Sequence, residues 1–514
     1  MANEPVPSRF LPLVDATTEL AERFARAGRS LYLVGGSVRD ALLEGAPTAG
    51  GRTGSAAGPG GGTRASGATP GAGPAGPAGL SGLSGLSDHS DHSDHSDLSD
   101  LDFTTDAGPD ETEAIVGAWA DAVWTQGKRF GTIGCRWHGR TYEITTHRGE
   151  QYTPDSRKPA VTFGRDVEAD LARRDFTVNA MALKLPEMNL VDPFDGISDL
   201  WAGRLRTPLD PDTSFDDDPL RMLRAARFIA GYGLEPDAAL VEAVRGGHGR
   251  LAIVSSERIR DELDKLVTVP VPSPGLWFVV ETGLAAEFLP ELPALALEQD
   301  PIHRHKDVLA HTLAVVDKTS PDRLLRLAAL FHDIGKPRTR SIDQGGVSFH
   351  HHEVVGARMT RVRMEALRYS SEDTTTVVRL VELHLRFHTY RLGWTDKAVR
   401  RYVRDAGPLL GRLNELTRCD CTTRNEAKAR ALGRRMDELE QRIDELRRRE
   451  SLDAIRPDLD GTQVMDRLGI PPGRLVGEAL SFLMELRLEE GPLGAEEAGR
   501  RLDRWWSERQ SAPT

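Results

Sequence analysis

LVGGSVRDALL (residues 33–43) and DLDFTTDA (residues 100–107) decide how this chain reads. The first sets two glycines, Gly35 and Gly36, directly after a short apolar run and before a helical pattern. Glycine there lets the backbone come close to a phosphate, and the N–H groups that open a helix favour an anion. Taken alone, the same pair also suits an ordinary tight turn. The second stretch holds Asp100 and Asp102, two residues apart in a strand, so the alternation of a strand turns both to one face. Two such carboxylates repel unless a cation lies between them, and hard oxygen ligands suit Mg2+. Glu143, in RTYEITTHR (140–148), stands on a strand able to lie beside the first. A third carboxylate there would complete a two-metal site for in-line phosphoryl displacement.

Outward from these stretches, an amphipathic helix is expected over about 14–27 and a strand over Leu31–Val34. From 46 to 99 the composition collapses into Gly, Ala, Ser and Pro, then into LSGLSGLSDHSDHSDHSDLSD. So few aromatic and β-branched residues cannot offset the entropy of ordering, and the segment reads as a disordered insertion. His89, His92 and His95 belong to that solvated repeat. A helix follows over 110–122, then alternating strands over 132–147. Residues 170–270 read as mostly helical, with a β-turn near Asp195–Gly196, and 300–425 as one His-rich helix after another. A highly charged helix over 425–450 suits a solvated face, and a last helical segment spans about 460–506.

The length of 514 residues allows two to four domains at ~150 residues each. Hydrophobic residues make 39% and charged residues 28%, as in a globular protein. The net charge of −12 weighs against a nucleic-acid partner, but the acid is concentrated in the Asp repeats and the C-terminal helices while Arg clusters elsewhere. Cys135, Cys419 and Cys421 are too few for a disulfide framework, so a reducing cytoplasm is expected. MANEPVPSRF has no basic stretch followed by an apolar run, and no run reaches the ~18 apolar residues of a membrane span, so neither a signal peptide nor a membrane partner is expected.

GGSVRD, DLDFTTDA, YEITTHR and DLARRDFTVNAMAL (170–183), in that order, resemble the class II tRNA nucleotidyltransferases and bacterial poly(A) polymerases of the DNA polymerase β-like superfamily. The resemblance runs on through FDDDPLRMLRAARF (215–228) and SSERIRDEL (255–263) and covers most of the chain outside 46–99. It implies an α+β fold: a small mixed or antiparallel-sheet head over 1–165 interrupted by the insertion, then a largely all-α remainder. That remainder comprises a nucleotide- and RNA-binding neck over 166–290, an HD body over 291–425 and a tRNA-binding tail over 426–514. It implies that Asp100 and Asp102 carry Mg2+ with Glu143 as third carboxylate, and that Gly35, Gly36 and Arg39 contact the triphosphate. Arg173, Arg174 and Asp175 match a ribose- and phosphate-contacting motif, and Asn179 is a further nucleotide contact. The long insertion departs from the family, though the cost of closing a loop rises slowly with its length.

Cytosine and adenine both present an amino donor beside a ring-nitrogen acceptor, and uracil and guanine present the reverse. A carboxylate beside an arginine therefore selects C and A, because ionised Asp only accepts and Arg only donates. Asp218 and Arg221, at i and i+3, match the family's base-reading pair, while Asp217 stands where the family has Glu. Asp218 before Pro219 also makes a good helix cap. SSERIRDEL, with Glu257, Arg258 and Glu262, reads as a structural helix that shapes the pocket.

A second constellation follows: DVLAHTLAVVD (307–317), LAALFHDIGKP (327–337), FHHHEVVGA (349–357), LVELHLRFH (380–388) and RCDCTT (418–423). His beside Asp in an apolar helix is expensive to bury unless something neutralises it, and a divalent metal does so. The pattern resembles HD-domain phosphohydrolases, which implies His311, His332, Asp333 and Asp420 as ligands, with His352 and His384 placed for a second ion. The resemblance implies phosphodiesterase or phosphatase activity on damaged 2′ or 3′ ends.

The expected activity is addition of CMP, CMP and AMP from CTP and ATP to tRNA, with no stable protein partner. Recognition would rest on the shape and phosphates of the acceptor stem, met by the arginines from Arg386 to Arg404 and by the helices beyond 425. A poly(A) polymerase and a CC- or A-adding half-enzyme share the same motifs. PDLDGTQVMDRLGIPPG (457–473) and the complete HD set lean towards CCA addition. An HD hydrolase with a degenerate RNA-binding module is opposed by the retention of Asp100, Asp102, Arg174 and Asp175.

Overall fold

Leu101 and Phe103 are buried and Asp102 between them is exposed; Tyr142 and Ile144 are buried and Glu143 between them is exposed. That alternation makes a sheet with one apolar and one polar face. The computed structural model describes residues 10–44, 100–153, 156–297, 307–343, 346–389, 393–421, 426–450 and 455–511. The insertion expected over 46–99, with its three histidines, lies outside the described residues. The chain divides into one unit of residues 1–150 with 161–197 and a second of residues 151–160 with 198–514.

The first unit is built on seven strands: β1 Leu31–Val34, β2 Asp100–Thr105, β3 Ala122–Trp124, β4 Thr132–Trp137, β5 Arg140–Thr146, β6 Ala182–Leu185 and β7 Asn189–Val191. Their order is β3-β4-β5-β2-β1-β6-β7. β2 and β5 run parallel, and every other neighbouring pair is antiparallel. A parallel pair needs a crossover, supplied here by α3 (Pro109–Gly117), β3 and β4. The apolar face packs on α1 (Leu11–Arg26), where the Tyr142 hydroxyl donates to the Ala16 carbonyl at 3.1 Å and the Phe103 and Tyr142 rings stack. α2 (Gly36–Glu44) follows β1, and α4 (Val167–Ala172) lies against the polar face through Leu171, which packs with Val34, Ala180 and Ala182.

Two expectations need correction. β6 and β7 fall within the stretch read as mostly helical and beyond the head boundary set at 165, yet β6 pairs with β1 from Leu31↔Leu185 to Val34↔Ala182. The helix expected over 110–122 ends at Gly117, and the chain turns into edge strand β3.

The second unit is dominated by helices. Those that matter below are α5 Pro211–Asp217, α6 Leu220–Tyr232, α7 Ser256–Thr268, α8 Val308–Lys318, α9 Arg323–Phe331, α10 His352–Ala366, α11 Ser371–Leu383, α12 Asp396–Ala406, α13 Leu410–Asp420, α14 Glu426–Arg449 and α15 Arg474–Glu490. α14 was expected to be a solvated charged helix. It carries a buried stripe beneath its charges, Met436, Leu439, Ile443 and Leu446, at the spacing that one helix face requires. Of the arginines from Arg386 to Arg404, Arg391 lies outside the described residues and the other four are paired with acids. Arg386 pairs with Asp405, Arg401 and Arg404 pair with Glu485, and Arg400 is buried against Glu450. Arg400, Arg401 and Arg404 thus tie α12 to α15 and to Glu450 just beyond α14.

Glu450 accepts from Arg400 at 3.0 Å and Arg487 at 2.7 Å, and all three side chains are 5–6% exposed. Removing one member of a buried charge cluster costs ~3–5 kcal/mol, because it leaves the others uncompensated. Glu450→Ala is therefore expected to speed amide exchange along α12, α14 and α15. Burial opposes ionisation of Glu450, but the two arginines outweigh it and hold its pKa below the ordinary value. A depressed carboxylate stabilises fully above its unfolded pKa, about 4.3, and loses that contribution as pH falls below it. Hydrogen exchange of wild type and variant at neutral and acid pH checks both points; equal exchange at neutral pH would show that the cluster holds nothing.

Candidate active site

In the head, Asp102 on β2 stands directly opposite Glu143 on β5, and both are exposed on the polar face. Opposed residues share a face with their side chains ~5 Å apart, so two like charges are set side by side. Asp100 opens β2 opposite Thr141. Next to Glu143 on β4 is Gly134, where a Cβ would fall 1.9 Å from the Trp124 indole nitrogen. That glycine is what lets the Trp124 ring lie across the strand.

Gly35 has φ +75°, a conformation only glycine adopts cheaply, and it turns the chain from β1 into α2. A Cβ there would stand 3.5 Å from Arg174 Nη1 and 3.8 Å from Asp102 Oδ2. The glycine turn, a metal-binding type of carboxylate and a cation thus converge. Arg173 and Arg174 leave the end of α4, whose start is capped by Asp166 accepting from the Glu168 N–H at 2.9 Å. Both are aimed by Asp170, which is fully buried and pairs with Arg173 at 2.7 Å and Arg174 at 3.5 Å. Burial raises the Asp170 pKa, but the two arginines outweigh it and hold it low. Burial pushes the Arg174 pKa down, without removing its charge in water near neutrality. Sequence reasoning missed Asp170; its spacing three and four residues before the arginines was the available signal.

Arg39 is buried. Its guanidinium donates to Asp40 at 2.8 Å and to Asn179 Oδ1 at 2.6 Å, and Asn179 in turn donates to Asp175 Oδ1 at 3.0 Å. Of the residues expected to touch the nucleotide, Arg39 and Asn179 thus form a buried chain that ties Asp175 to α2. His147 is also buried, bonded through Nδ1 to Thr104 at 2.8 Å, and burial lowers its pKa, so it is a neutral structural group.

In the second unit, Asp218 follows α5 and its Oδ1 accepts at 3.2 Å from the N–H of Leu220, the first residue of α6, whose N-cap is Pro219. Arg221, buried on α6, donates to Ser214 Oγ at 2.8 Å. From α7, Glu262 accepts from Arg227 at 2.9 Å and Arg224 at 3.4 Å, in keeping with the structural part expected of that helix.

The HD residues meet as the sequence implied. His311 comes from α8, His332 and Asp333 from the end of α9, His352 from the start of α10, His384 from the end of α11 and Asp420 from the end of α13. His311 Nε2 lies 2.9 Å from Asp420 Oδ1, 3.5 Å from Asp333 Oδ2 and 3.3 Å from His332 Nε2. His352 Nε2 lies 3.4 Å from Asp333 Oδ1 and 3.2 Å from His384 Nε2. His332, His352 and His384 each donate Nδ1–H to the main-chain carbonyl three residues earlier, at 2.7, 2.8 and 2.6 Å. That assigns the proton to Nδ1 and leaves Nε2 as a lone pair. Two Nε2 lone pairs at such distances repel unless a cation lies between them. The donor set fits divalent metal, and Asp333 offers one oxygen to each of two groups, His311 with His332 and His352 with His384. Burial pushes the His384 pKa down to about 3, in the neutral form that binds metal. Burial also opposes charge on His332, but Asp333 and Asp420 outweigh it and raise the pKa to about 10: without an ion, a proton holds the cluster together. Lys336, 2.6 Å from Asp333 Oδ2, is a member that sequence reasoning did not single out.

Three family models match the chain: the poly A polymerase head domain over residues 91–206, the probable RNA and SrmB-binding site of polymerase A over 233–295, and the HD domain over 307–443. An A-adding tRNA nucleotidyltransferase of Deinococcus radiodurans is 36% identical over 360 residues, which is 67% of this chain and 80% of that one. A CC-adding tRNA nucleotidyltransferase of Thermus thermophilus is 33% identical over 66% of this chain and 77% of that one. A CCA-adding enzyme of Lactobacillus johnsonii is 37% identical over 36% of this chain and 46% of its own length. The fold is that of the Bacillus stearothermophilus CCA-adding enzyme solved with CTP, at TM-score 0.64 and 20% identity, covering 98% of this chain and 99% of that one.

The bridging position of Asp333 makes a count of ions decisive. In Mn2+ titrations of the full chain, His352→Ala with His384→Ala is expected to bind one ion fewer than wild type, and Asp333→Ala two fewer. Equal stoichiometry in the His pair variant would rule out the second ion.

Proposed function

We propose, from the premise that this chain belongs to the tRNA nucleotidyltransferase family, that it adds CMP, CMP and AMP from CTP and ATP to the 3′ end of tRNA without a template. The observation that carries the reading is the convergence of Gly35, Asp102 and Arg174, with Glu143 beside Asp102. In the reaction the tRNA 3′ oxygen forms a bond to the α-phosphorus, the bond from that phosphorus to the bridging oxygen breaks, and pyrophosphate leaves. The hydroxyl proton passes to water. Asp100, Asp102 and Glu143 would hold Mg2+, which when bound neutralises charge developing on the phosphate oxygens. The N–H groups opening α2 and the arginines aimed by Asp170 suit the triphosphate. Asp175, held by Asn179, accepts from a ribose hydroxyl, and Asp218 with Arg221 reads the edge that cytosine and adenine share.

A half-enzyme is the second reading, because the A-adding and CC-adding relatives align over 80% and 77% of their lengths. We favour full CCA addition on the complete HD set and the match through the C-terminal segment. Among the described residues no helix is long and apolar enough to cross a membrane. We place the work in the cytoplasm, with the tail helices on the tRNA and no stable protein partner.

For the HD cluster we propose hydrolysis of phosphate esters at 2′ or 3′ ends of RNA. With a 2′,3′-cyclic end, a water oxygen bonds to phosphorus, one ring P–O bond breaks and the released oxygen takes a proton. His311, His332, Asp333 and Asp420, with His352 and His384, would hold the divalent ions that activate the water.

The test supplies labelled CTP and ATP, singly and together, with tRNA ending at the discriminator base. Growth that stops after C, C and A, and falls at least ~1000-fold in Asp102→Ala, is the expected result. Stopping after two C, or adding only A to a CC end, selects a half-enzyme, and open-ended A addition a poly(A) polymerase. The HD reading is checked separately with 2′,3′-cyclic AMP. Hydrolysis that survives His332→Ala combined with Asp333→Ala would sink it.

A further inference from the structure

A carboxylate separates an amino edge from a carbonyl edge only if it is ionised and cannot rotate away. Asp218 sits in the break between α5 and α6 with its side chain 23% exposed, and its Oδ1 accepts from the Leu220 N–H. The other oxygen is taken by a residue of a different helix. Arg258, in the first turn of α7, donates from Nη2 to Asp218 Oδ2 at 2.7 Å and from Nη1 to Oδ1 at 3.4 Å. Three N–H groups thus meet a carboxylate that offers about four lone-pair sites, which leaves room for one more donor, the count a base amino group needs.

The placement of Arg258 is itself fixed. One helical turn further along α7, buried Glu262 grips Arg224 and Arg227 of α6. That buried cluster sets the spacing of the two helices, so Arg258 arrives at Asp218 in one geometry. The partner of Asp218 has its own anchor, since Arg221 is held by Ser214. Arg258 is 44% exposed, and an exposed ion pair contributes ~1 kcal/mol or less to stability. Holding the fold together does not account for it. Holding one rotamer of Asp218 does.

We propose that Arg258 is the positioning residue that sets base selectivity, by locking Asp218 as a fixed acceptor for the amino group of cytosine or adenine; this rests on Asp218 reading the base. Without it, Asp218 turns off the base edge and the enzyme accepts UTP and GTP more readily.

The experiment compares kcat/KM for CTP, ATP, UTP and GTP on tRNA in wild type, Arg258→Ala, Arg258→Lys and Asp218→Ala, all full length. In Arg258→Ala the CTP to UTP ratio is expected to fall at least ~10-fold, the size of one charge-assisted hydrogen bond, with no shift in the unfolding midpoint. Arg258→Lys keeps one charged donor and recovers part of the ratio. A loss spread equally over the four nucleotides, with the ratio unchanged, would overturn the proposal and make Arg258 a structural residue. Two failures are separable: an unchanged ratio in Arg258→Ala beside a collapsed one in Asp218→Ala removes only the role of Arg258. An unchanged ratio in Asp218→Ala removes the base-reading assignment beneath it.

Discussion

Like groups are brought together twice in this chain, and each time their spacing suits a cation between them. In the head, the parallel register of β2 and β5 puts Asp102 directly opposite Glu143. Five antiparallel pairings and one parallel pairing are needed to bring that about, so the sheet's topology is what creates the charge problem. In the second unit, four helix ends and α8 bring imidazole lone pairs within 3.2–3.3 Å of each other. The Nδ1 protons of His352 and His384 are already committed to main-chain carbonyls, so no rearrangement of neutral tautomers turns the contact between their Nε2 atoms into a hydrogen bond. Each arrangement has the donor atoms that a divalent ion would take, and metal affinity at such a site adds to folding free energy.

The two centres solve the orientation problem differently. At the HD site His332, His352 and His384 stand at helix ends and are each fixed by a backbone carbonyl three residues earlier, which is local geometry. In the head, orientation depends on long-range contacts: Asp170 aims two arginines, and Arg39 and Asn179 hold Asp175 across 140 residues of sequence.

That difference explains what could be read from the sequence. The HD cluster was legible because its residue types and their order carry the whole signal. The strand placement of Asp100, Asp102 and Glu143 was legible from alternation, and so was the glycine turn. Asp170 was not, because a buried carboxylate three residues before an arginine looks like any helix-surface pair until its burial is known. The strands β6 and β7 are four and three residues long, too short for periodicity to separate them from the helical stretch around them. The partners of Arg386, Arg400, Arg401 and Arg404 were hidden for the opposite reason: composition records the cations but not the acids, as far as Glu485, that pair with them.

The interruption between the glycine turn and β2 is where the head departs most from a short connection. Residues 45–99 separate α2 from β2, yet β1 and β2 pair in register at Leu31↔Thr105, Tyr32↔Thr104 and Leu33↔Phe103. Loop-closure entropy grows as the logarithm of length, so a connection tenfold longer than a short turn costs about 2 kcal/mol more. Against that, Leu31, Leu33, Leu101 and Phe103 are each no more than 1% exposed, and a fully buried side chain of this kind contributes ~1.5–3 kcal/mol. Two of the four outweigh the added length. The register of β2, and with it the opposition of Asp102 and Glu143, is decided by those apolar side chains rather than by the connection that precedes them.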